Sequence, residues 1–271
     1  MKAEEHIEFA ISLVQECGQI ILEASKGREN PSDLVTETDK IVEELTIIKE
    51  TAAAGNHHEP TWIVDPIDGT TNFILSEIIK ATLSLLFPFV AVYIGLTNNK
   101  EPVVARKGNG AYLNLNTKLP LSSPNPPITL PSSLSQCLVM PGYGNNRSFN
   151  DFREKFRSVH SLMSKPVRGI RNIGSAALSI IQVAKGEADI FWEIGCWEWD
   201  VTAALVILRE SGGLIVNGNG PNEEPVNILG RKYLAVRGGS PCAGDKTVEQ
   251  SQLRLVREFW NIVEEIDCPR E

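Results

Sequence analysis

The sequence predicts a layered α/β protein, because segments with the apolar spacing of amphipathic helices alternate with short apolar runs typical of buried strands. This alternation shows no internal repeat, which excludes a solenoid. The 271 residues are 42% apolar and 22% charged, a composition typical of a folded chain that buries a large core. The net charge of −8 argues against nucleic acid or an anionic membrane as the main partner.

The first part of the chain is predicted to contain two helices and two strands. Apolar residues recur at three-to-four-residue spacing over residues 5–26, which predicts a helix, and Thr38 or Asp39 would cap a second helix. The apolar run Thr61–Asp65 ends at a proline and is predicted to be a short strand. A second strand is predicted over residues 89–96, where β-branched and aromatic residues are frequent.

A segment dense in Pro, Ser and Asn, residues 119–131, is predicted to connect this part to a second half. The second half alternates helices and strands by the same criteria. The predicted helices cover residues 149–164, 174–185, 200–210 and 253–266, and the predicted strands cover residues 188–192, 214–216 and 233–236.

The cysteines indicate a reducing compartment. The five of them are widely scattered and include no Cys-X-X-Cys pair, so we expect free thiols rather than disulfides or a zinc site. The chain starts with acidic residues where a targeting segment would be apolar or Arg-rich. The apolar segment 81–96 is shorter than the roughly 20 residues of a membrane span. We therefore expect a cytoplasmic protein without a transmembrane helix.

The strongest chemical signal is the segment WIVDPIDGTTNF, residues 62–73. Asp65 and Asp68 can face one cation with the carbonyl of Ile67 between them, and such oxygen ligands suit Mg²⁺. The amides of Gly69 and Thr70 can bind a phosphate beside that cation. A haloacid-dehalogenase-type phosphatase would have one residue between its aspartates, so the present spacing disfavours an aspartyl-phosphate mechanism. The alternative is that both aspartates merely shape a Pro-Gly turn.

Asp200 is a third candidate, near the predicted start of a helix. An N-cap role would explain it without any function. However, three carboxylates converging at Asp65, Asp68 and Asp200 would repel one another without a cation. This repulsion favours a metal site.

Several neighbouring side chains are expected to be structural. Trp197 and Trp199 alternate along the chain, which predicts that one ring packs in the core and the other borders a pocket, with packing as the main role of both. Cys196 has no histidine near it in sequence and is expected to be a buried, unreactive thiol. Glu187 and Asp189 are expected at a solvated edge.

The paired segments WIVDPIDGTTNF and WEWDVTAALVILRESGG resemble the signatures of the inositol monophosphatase family, the Mg²⁺-dependent, lithium-sensitive sugar phosphatases. DLVTETD and GIRNIGSAA are lesser matches in the expected order. The resemblance implies a layered α-β-α-β-α sandwich of the inositol monophosphatase or fructose bisphosphatase type, forming one domain over residues 1–271 and usually a homodimer. It places a metal- and phosphate-binding half at residues 1–120. The second half, residues 132–271, would contribute Asp200 and the substrate pocket.

The resemblance also implies residue roles. Water activated by one of two or three Mg²⁺ ions would attack phosphorus in line, and another ion would stabilise the departing alkoxide. The implied metal ligands are Asp65, the Ile67 carbonyl, Asp68 and Asp200. Asp39 and Thr70 match the pair that orients and deprotonates the water. The implied substrate contacts are Asp68, Gly69, Thr70, Gly174, Ser175, Ala176, Glu193 and Asp200, of which Glu193 matches the acid that binds an inositol hydroxyl.

The sequence departs from the family pattern upstream of the first aspartate and after it. Lys49 stands where the family has a glutamate ligand, and Glu50 is the nearest carboxylate that could replace it. The segment between Asp39 and Lys49 is short, residues 74–86 resemble an insertion, and a hairpin is expected but missing near residues 103–106. Misplaced splice boundaries in a conceptual translation, or a natural splice variant, would explain such departures.

The sequence leaves three functions open. The first is hydrolysis of inositol monophosphate. The second is hydrolysis of another small phosphate, such as a sugar phosphate, a bisphosphorylated nucleotide or histidinol phosphate. The third is a binding or regulatory role of a catalytically impaired homologue.

Overall fold

The computed structural model describes Ile11 and residues 61–65, 79–87, 90–96, 102–121, 128–143, 149–165, 167–220 and 226–268. For residues 61–65, 79–87, 90–96 and 149–152 the description covers the backbone. Ile11 is helical, but the other residues of the two predicted N-terminal helices lie outside the described part of the chain.

The chain divides into two compact units. The first comprises Met1–Thr117 together with Trp199–Ile207, and the second comprises Lys118–Glu198 together with Leu208–Glu271. The boundary at Thr117 immediately precedes the Pro-rich segment, whereas residues 199–207 return to the first unit.

The first unit contains a six-stranded sheet in the order β1-β2-β3-β4-β5-β6. Neighbouring strands from β1 to β5 pair antiparallel. The strands are β1 (Thr61–Asp65), β2 (Ile79–Phe87), β3 (Val90–Leu96), β4 (Pro102–Arg106), β5 (Gly110–Leu113) and β6 (Thr117–Lys118). The predicted strand β1 is confirmed, and β3 starts one residue later than predicted.

Strand β2 arises from the segment that the sequence pattern marks as an insertion. It pairs with β1 on one side, where Val64 lies opposite Leu83, and with β3 on the other, where Leu83 lies opposite Val92. Its backbone groups therefore satisfy those of two neighbours, and the segment is an interior part of the sheet. Strand β4 pairs with both β3 and β5, and residues 107–109 form the turn that joins β4 to β5.

The second unit contains a five-stranded mixed sheet in the order β10-β11-β9-β7-β8. Strand β7 runs parallel to both β8 and β9, and β11 runs antiparallel to β9 and β10. The strands are β7 (Leu138–Pro141), β8 (Gly169–Ile170), β9 (Ile190–Ile194), β10 (Leu214–Val216) and β11 (Lys232–Val236). Strand β10 has its predicted bounds, whereas β9 lies two residues further along than predicted.

Four helices are described in the second half of the sequence: α1 (Phe149–Ser164), α2 (Ala176–Lys185), α3 (Glu198–Glu210) and α4 (Val248–Trp260). Helix α1 has its predicted bounds. Helix α4 starts at Val248 rather than at residue 253, because Thr247 caps it by accepting a hydrogen bond from the Gln250 amide at 3.1 Å. It ends at Trp260 rather than at residue 266.

The core of the second unit forms where α1 and α4 meet one face of the sheet. Trp192 of β9 is fully buried there, 5.9 Å from Phe259 of α4 between ring centroids. Ile190 and Ile194 belong to the same apolar cluster. Because side chains alternate along a strand, Phe191 and Glu193 point to the opposite face. Glu193 therefore lies on the face of the sheet opposite to α1 and α4.

The prediction that Asp189 lies at a solvated edge is wrong, because the residue is buried. Its carboxylate accepts hydrogen bonds from Arg237 Nε and from the Leu138 amide, both at 2.7 Å. The Arg237 side chain also donates to the carbonyls of Ile128 and Thr129. Through these hydrogen bonds, Asp189 and Arg237 connect the start of β9 to the start of β7 and to the end of β11. Glu187, in contrast, is exposed as predicted and pairs with Lys185.

Candidate functional site

The predicted site residues divide between described and undescribed parts of the chain. Asp65 is the last residue of β1. The other predicted residues of the first half, Asp39, Glu50, Ile67, Asp68, Gly69 and Thr70, lie outside the described residues, as does Lys49. The predicted residues of the second half are all described.

Asp200 lies in the first turn of α3 rather than at its N-cap, because the helix starts two residues earlier, at Glu198. The N-terminal turn of a helix carries partial positive charge that stabilises a carboxylate. The following residues from Val201 to Leu208 are buried, so apolar packing fixes the helix that carries Asp200. The carboxylate is held on a rigid element, as a metal ligand requires.

Asp65 and Asp200 belong to the same compact unit. Carboxylate oxygens are donors that Mg²⁺ prefers, so the chemistry of these two residues fits that ion. Within the described ranges, no group of three or more His, Cys, Asp or Glu side chains gathers into a metal cluster.

The second group of predicted residues lies at the carboxyl ends of the parallel strands. From the end of β7 the chain proceeds through α1 to β8, on one side of β7. From the end of β9 it proceeds through α3 to β10, on the other side. Adjacent parallel strands whose connections leave in opposite directions open a crevice at their carboxyl ends, where α/β proteins bind ligands.

Glu193 and Gly142 meet at this point of the sheet. Gly142 follows β7, and its amide donates to the Trp192 carbonyl of β9 at 2.8 Å. Glu193 is only 7% exposed, and its carboxylate fills the space that a side chain at position 142 would need. A Cβ added to Gly142 would lie 2.0 Å from Glu193 Oε2. The site therefore holds a buried carboxylate that depends on a glycine from the neighbouring strand.

The segment that precedes α2 is fixed beside the same strand end. The side-chain Nδ2 of Asn172 donates to the Pro141 carbonyl at 2.6 Å, and its side-chain oxygen accepts from the Gly174 backbone amide at 3.0 Å. Gly174 has a φ of 69°, which favours glycine. Ser175 caps α2 through its hydroxyl oxygen, which accepts from the Leu178 amide at 3.0 Å, and Ala176 begins the helix. The structure thus brings the Gly174–Ser175–Ala176 segment and Glu193 to the end of β7.

The turn after β9 is braced by Arg231. The Gly195 amide donates to the Arg231 carbonyl at 2.7 Å, and Arg231 Nη2 donates back to the Gly195 carbonyl at 2.8 Å. The guanidinium also stacks over the Trp197 ring, 3.9 Å from its centroid, a favourable cation–π contact. Trp197 is half-buried and Trp199 is 37% exposed. The prediction that one of the two rings packs in the core is therefore wrong. Cys196 is buried, as predicted.

Sequence reasoning missed Gly142, Asn172 and Lys155. Pro141-Gly142 has the composition of an ordinary turn, and Asn172 is bound to a residue 31 positions away. Lys155 of α1 is only 4% exposed, although lysine usually lies at the surface. Its Nζ donates to the Tyr143 carbonyl at 3.4 Å. The helical periodicity of residues 149–164 places position 155 on the buried face of α1, so this periodicity could have predicted that Lys155 is buried.

The chain belongs to the inositol monophosphatase family, whose model matches residues 2–264. This membership supports a phosphatase activity, and the family is generally metal-dependent. The predicted family and the α/β class are therefore confirmed. Among the described residues, no helix is long and apolar enough to cross a membrane.

Relatives and solved structures agree with this family. Protein qutG of Emericella nidulans is 33% identical over 98% of this chain and 96% of its own length. Human inositol monophosphatase 1 is 32% identical over 86% of this chain and 89% of its own length. The crystal structure of inositol monophosphatase II from Staphylococcus aureus has a TM-score of 0.69 and 25% identity, covering 94% of this chain and 91% of that chain.

The alignment with qutG spans 329 positions, more than the 271 residues of this chain. It therefore places gaps in this chain.

Proposed function

We propose that this protein is a Mg²⁺-dependent phosphomonoester hydrolase that releases phosphate from inositol monophosphate. The observation that carries the proposal is the buried Glu193 carboxylate at the carboxyl ends of β7 and β9, seven residues before Asp200. A buried carboxylate at a ligand-binding edge is a strong acceptor for a substrate hydroxyl. The Staphylococcal relative SaIMPase-II has a crystal structure described as bound to inositol monophosphate, with a TM-score of 0.65 and 25% identity to this chain.

In the proposed site, the metal ligands are Asp65, the Ile67 carbonyl, Asp68 and Asp200, with Glu50 as the replacement for the missing glutamate. When bound, Mg²⁺ acidifies water and neutralises negative charge on the phosphate and the leaving oxygen. Positive charge of this kind reconciles an acidic protein with an anionic substrate.

The chain's own residues position the reactants. Asp39 accepts the proton of the attacking water and Thr70 orients that water. The amides of Gly69 and Thr70 hold the phosphate, and Glu193 accepts a hydrogen bond from a ring hydroxyl, next to the pocket wall formed by the Gly174–Ser175–Ala176 segment. We further propose that the protein is a cytoplasmic, lithium-sensitive homodimer.

A second candidate substrate is a phosphate ester of a cyclic polyhydroxy acid. The supporting observation is the similarity to a Neurospora crassa protein named "Quinic acid degradation cluster protein x", which is 30% identical over 98% of this chain. Quinic acid carries several ring hydroxyls, so Glu193 suits such a substrate too. Comparing phosphate release from the two substrate classes decides between them.

The test is release of inorganic phosphate from inositol monophosphate by the full chain, with and without Mg²⁺. We expect Mg²⁺-dependent release that Asp200→Asn reduces at least about 100-fold, since even changes around metal ligands cost 10–100-fold. Asp267→Asn is the matched control, because the Asp267 side chain is 95% exposed. Absence of release from a chain shown by thermal unfolding to be folded would overturn the proposal and favour a binding role.

Lys49→Glu tests the missing ligand separately. If Lys49 opposes a cation, the variant requires less Mg²⁺ for half-maximal activity than the wild type does. An unchanged Mg²⁺ requirement would show that position 49 does not face the metal.

A further inference from the structure

The Glu193 carboxylate occupies the space that a side chain at position 142 would need. A Cβ at Gly142 would lie 2.0 Å from Oε2, 2.2 Å from Cδ and 2.8 Å from Cγ of Glu193. Real Cβ atoms essentially never approach heavy atoms this closely, so any other residue at position 142 displaces the carboxylate. All three atoms belong to the far part of one flexible side chain, so that side chain can move without a change in the backbone.

The backbone around Gly142 has little freedom to respond. Its amide donates to the Trp192 carbonyl at 2.8 Å, and the ring nitrogen of the fully buried Trp192 donates to the Gly218 carbonyl at 2.8 Å. On the other side, Asn172 holds the Pro141 carbonyl at 2.6 Å. The strand ends are thus fixed, and the carboxylate is the part that yields.

From this geometry we propose that Gly142 is the specificity-determining residue of the substrate pocket. It admits the Glu193 carboxylate to the crevice, and thereby selects substrates that present a hydroxyl donor to it. The proposal rests on the proposed function and deepens it, by naming the residue that makes room for the Glu193 carboxylate. Gly142 acts through Glu193 and is a positioning residue, with no contact to the reacting atoms.

The experiment compares Gly142→Ala with the wild type on inositol monophosphate and on p-nitrophenyl phosphate, which has no hydroxyl for Glu193. We expect KM for inositol monophosphate to rise about tenfold, the effect of losing one charged hydrogen bond, with kcat changed less than twofold. The KM for p-nitrophenyl phosphate stays within twofold of the wild type. Gly230→Ala is the control, because a Cβ there meets its neighbours at 3.4 Å or more.

Glu193→Ala and the double variant Gly142→Ala/Glu193→Ala provide the coupling test. Glu193→Ala removes the three clashing atoms, so adding Gly142→Ala to it changes neither the KM nor the melting temperature. If the single Gly142→Ala variant fails to fold, the double variant still folds, because its clash is absent. Additive effects of the two substitutions on KM and melting temperature would overturn the inference, as would an equal KM increase for both substrates.

Failure of the proposed function gives a different result. In that case the wild type releases no phosphate from either substrate. The coupling in melting temperature between positions 142 and 193 is nevertheless measurable, and additivity there contradicts the inference on its own.

Discussion

The two sheets of this protein are assembled in different ways. In the first unit, strands that follow one another in sequence also pair side by side, from β1 to β6. In the second unit, β7 lies between β8 and β9, and helices connect these parallel strands. Parallel strands bring several loops to one edge, and the candidate hydroxyl-binding residues gather there. The proposed hydroxyl-binding residues therefore lie on the second sheet, whereas the proposed metal ligands belong to the first unit.

The sheets also differ in what holds them together. The second sheet depends on a buried ion pair between Asp189 and Arg237, two residues that are 48 positions apart. The first sheet depends on a continuous ladder of neighbouring strands. A substitution in the ion pair and a substitution in the strand ladder can therefore be tested separately.

Asp189→Asn is expected to have the largest effect on stability. It leaves the Arg237 guanidinium, which is 5% exposed, without its charged partner, and breaking a buried pair costs about 3–5 kcal/mol. Chemical denaturation measures this loss. Glu187→Gln is the matched control, since Glu187 pairs with Lys185 at the surface and its loss costs less than about 1 kcal/mol. Equal effects of the two variants would contradict the difference between a buried and a surface pair.

Leu83→Pro tests whether β2 is an interior strand. Proline removes a backbone donor and is not tolerated in the middle of a sheet, so we expect a loss of about 2 kcal/mol or more in the free energy of unfolding. Leu83→Val, which keeps the donor, should change stability much less. A proline variant as stable as the wild type would show that residues 79–87 are dispensable to the sheet.

Lys155→Met is expected to raise the melting temperature. The ammonium is buried in α1 with a single long hydrogen bond among the described residues, and burying such a charge is costly. Methionine fills similar space without a charge, which gives an expected gain of about 1 kcal/mol. Lys165→Met, at an exposed position, should have no effect. A destabilised Lys155→Met variant would indicate that the charge is required by the fold.

The smallest expected effect concerns Asp245. Side-chain hydrogen bonds from Arg254 and Ser251 lower the pKa of this carboxyl. A depressed pKa stabilises the folded state above the ordinary aspartate pKa of about 3.9, and this contribution disappears as pH falls through the lower folded pKa. Asp245→Asn should therefore flatten the loss of stability below about pH 4, measured by thermal unfolding. An unchanged acid profile would contradict this assignment.

The sequence predicted the elements whose signals are local. Strands β1 and β10 and helix α1 have the predicted bounds because their apolar patterns and flanking residues coincide with their ends. Helix α4 starts earlier than predicted, since its first turn is polar and the apolar pattern begins later. Strand β2 was missed because the family pattern marked it as an insertion, although its sequence alone suits a strand.

Long-range contacts explain the remaining differences in the candidate site. Glu193 was predicted from the resemblance to the inositol monophosphatase family, but nothing near Gly142 in sequence shows that it faces Glu193. The burial of Asp189 depends on a partner 48 residues away. Such pairs arise from strand order, which one sequence does not reveal.

The central claim is that the second sheet selects the substrate while carboxylates of the first unit carry the hydrolysis. The most direct test compares Glu193→Gln with Asp200→Asn on inositol monophosphate and on p-nitrophenyl phosphate. We predict that Glu193→Gln raises KM for inositol monophosphate alone, with kcat preserved, whereas Asp200→Asn abolishes Mg²⁺-dependent turnover of both substrates. A Glu193→Gln variant that loses turnover of both substrates to the same degree would contradict the claim.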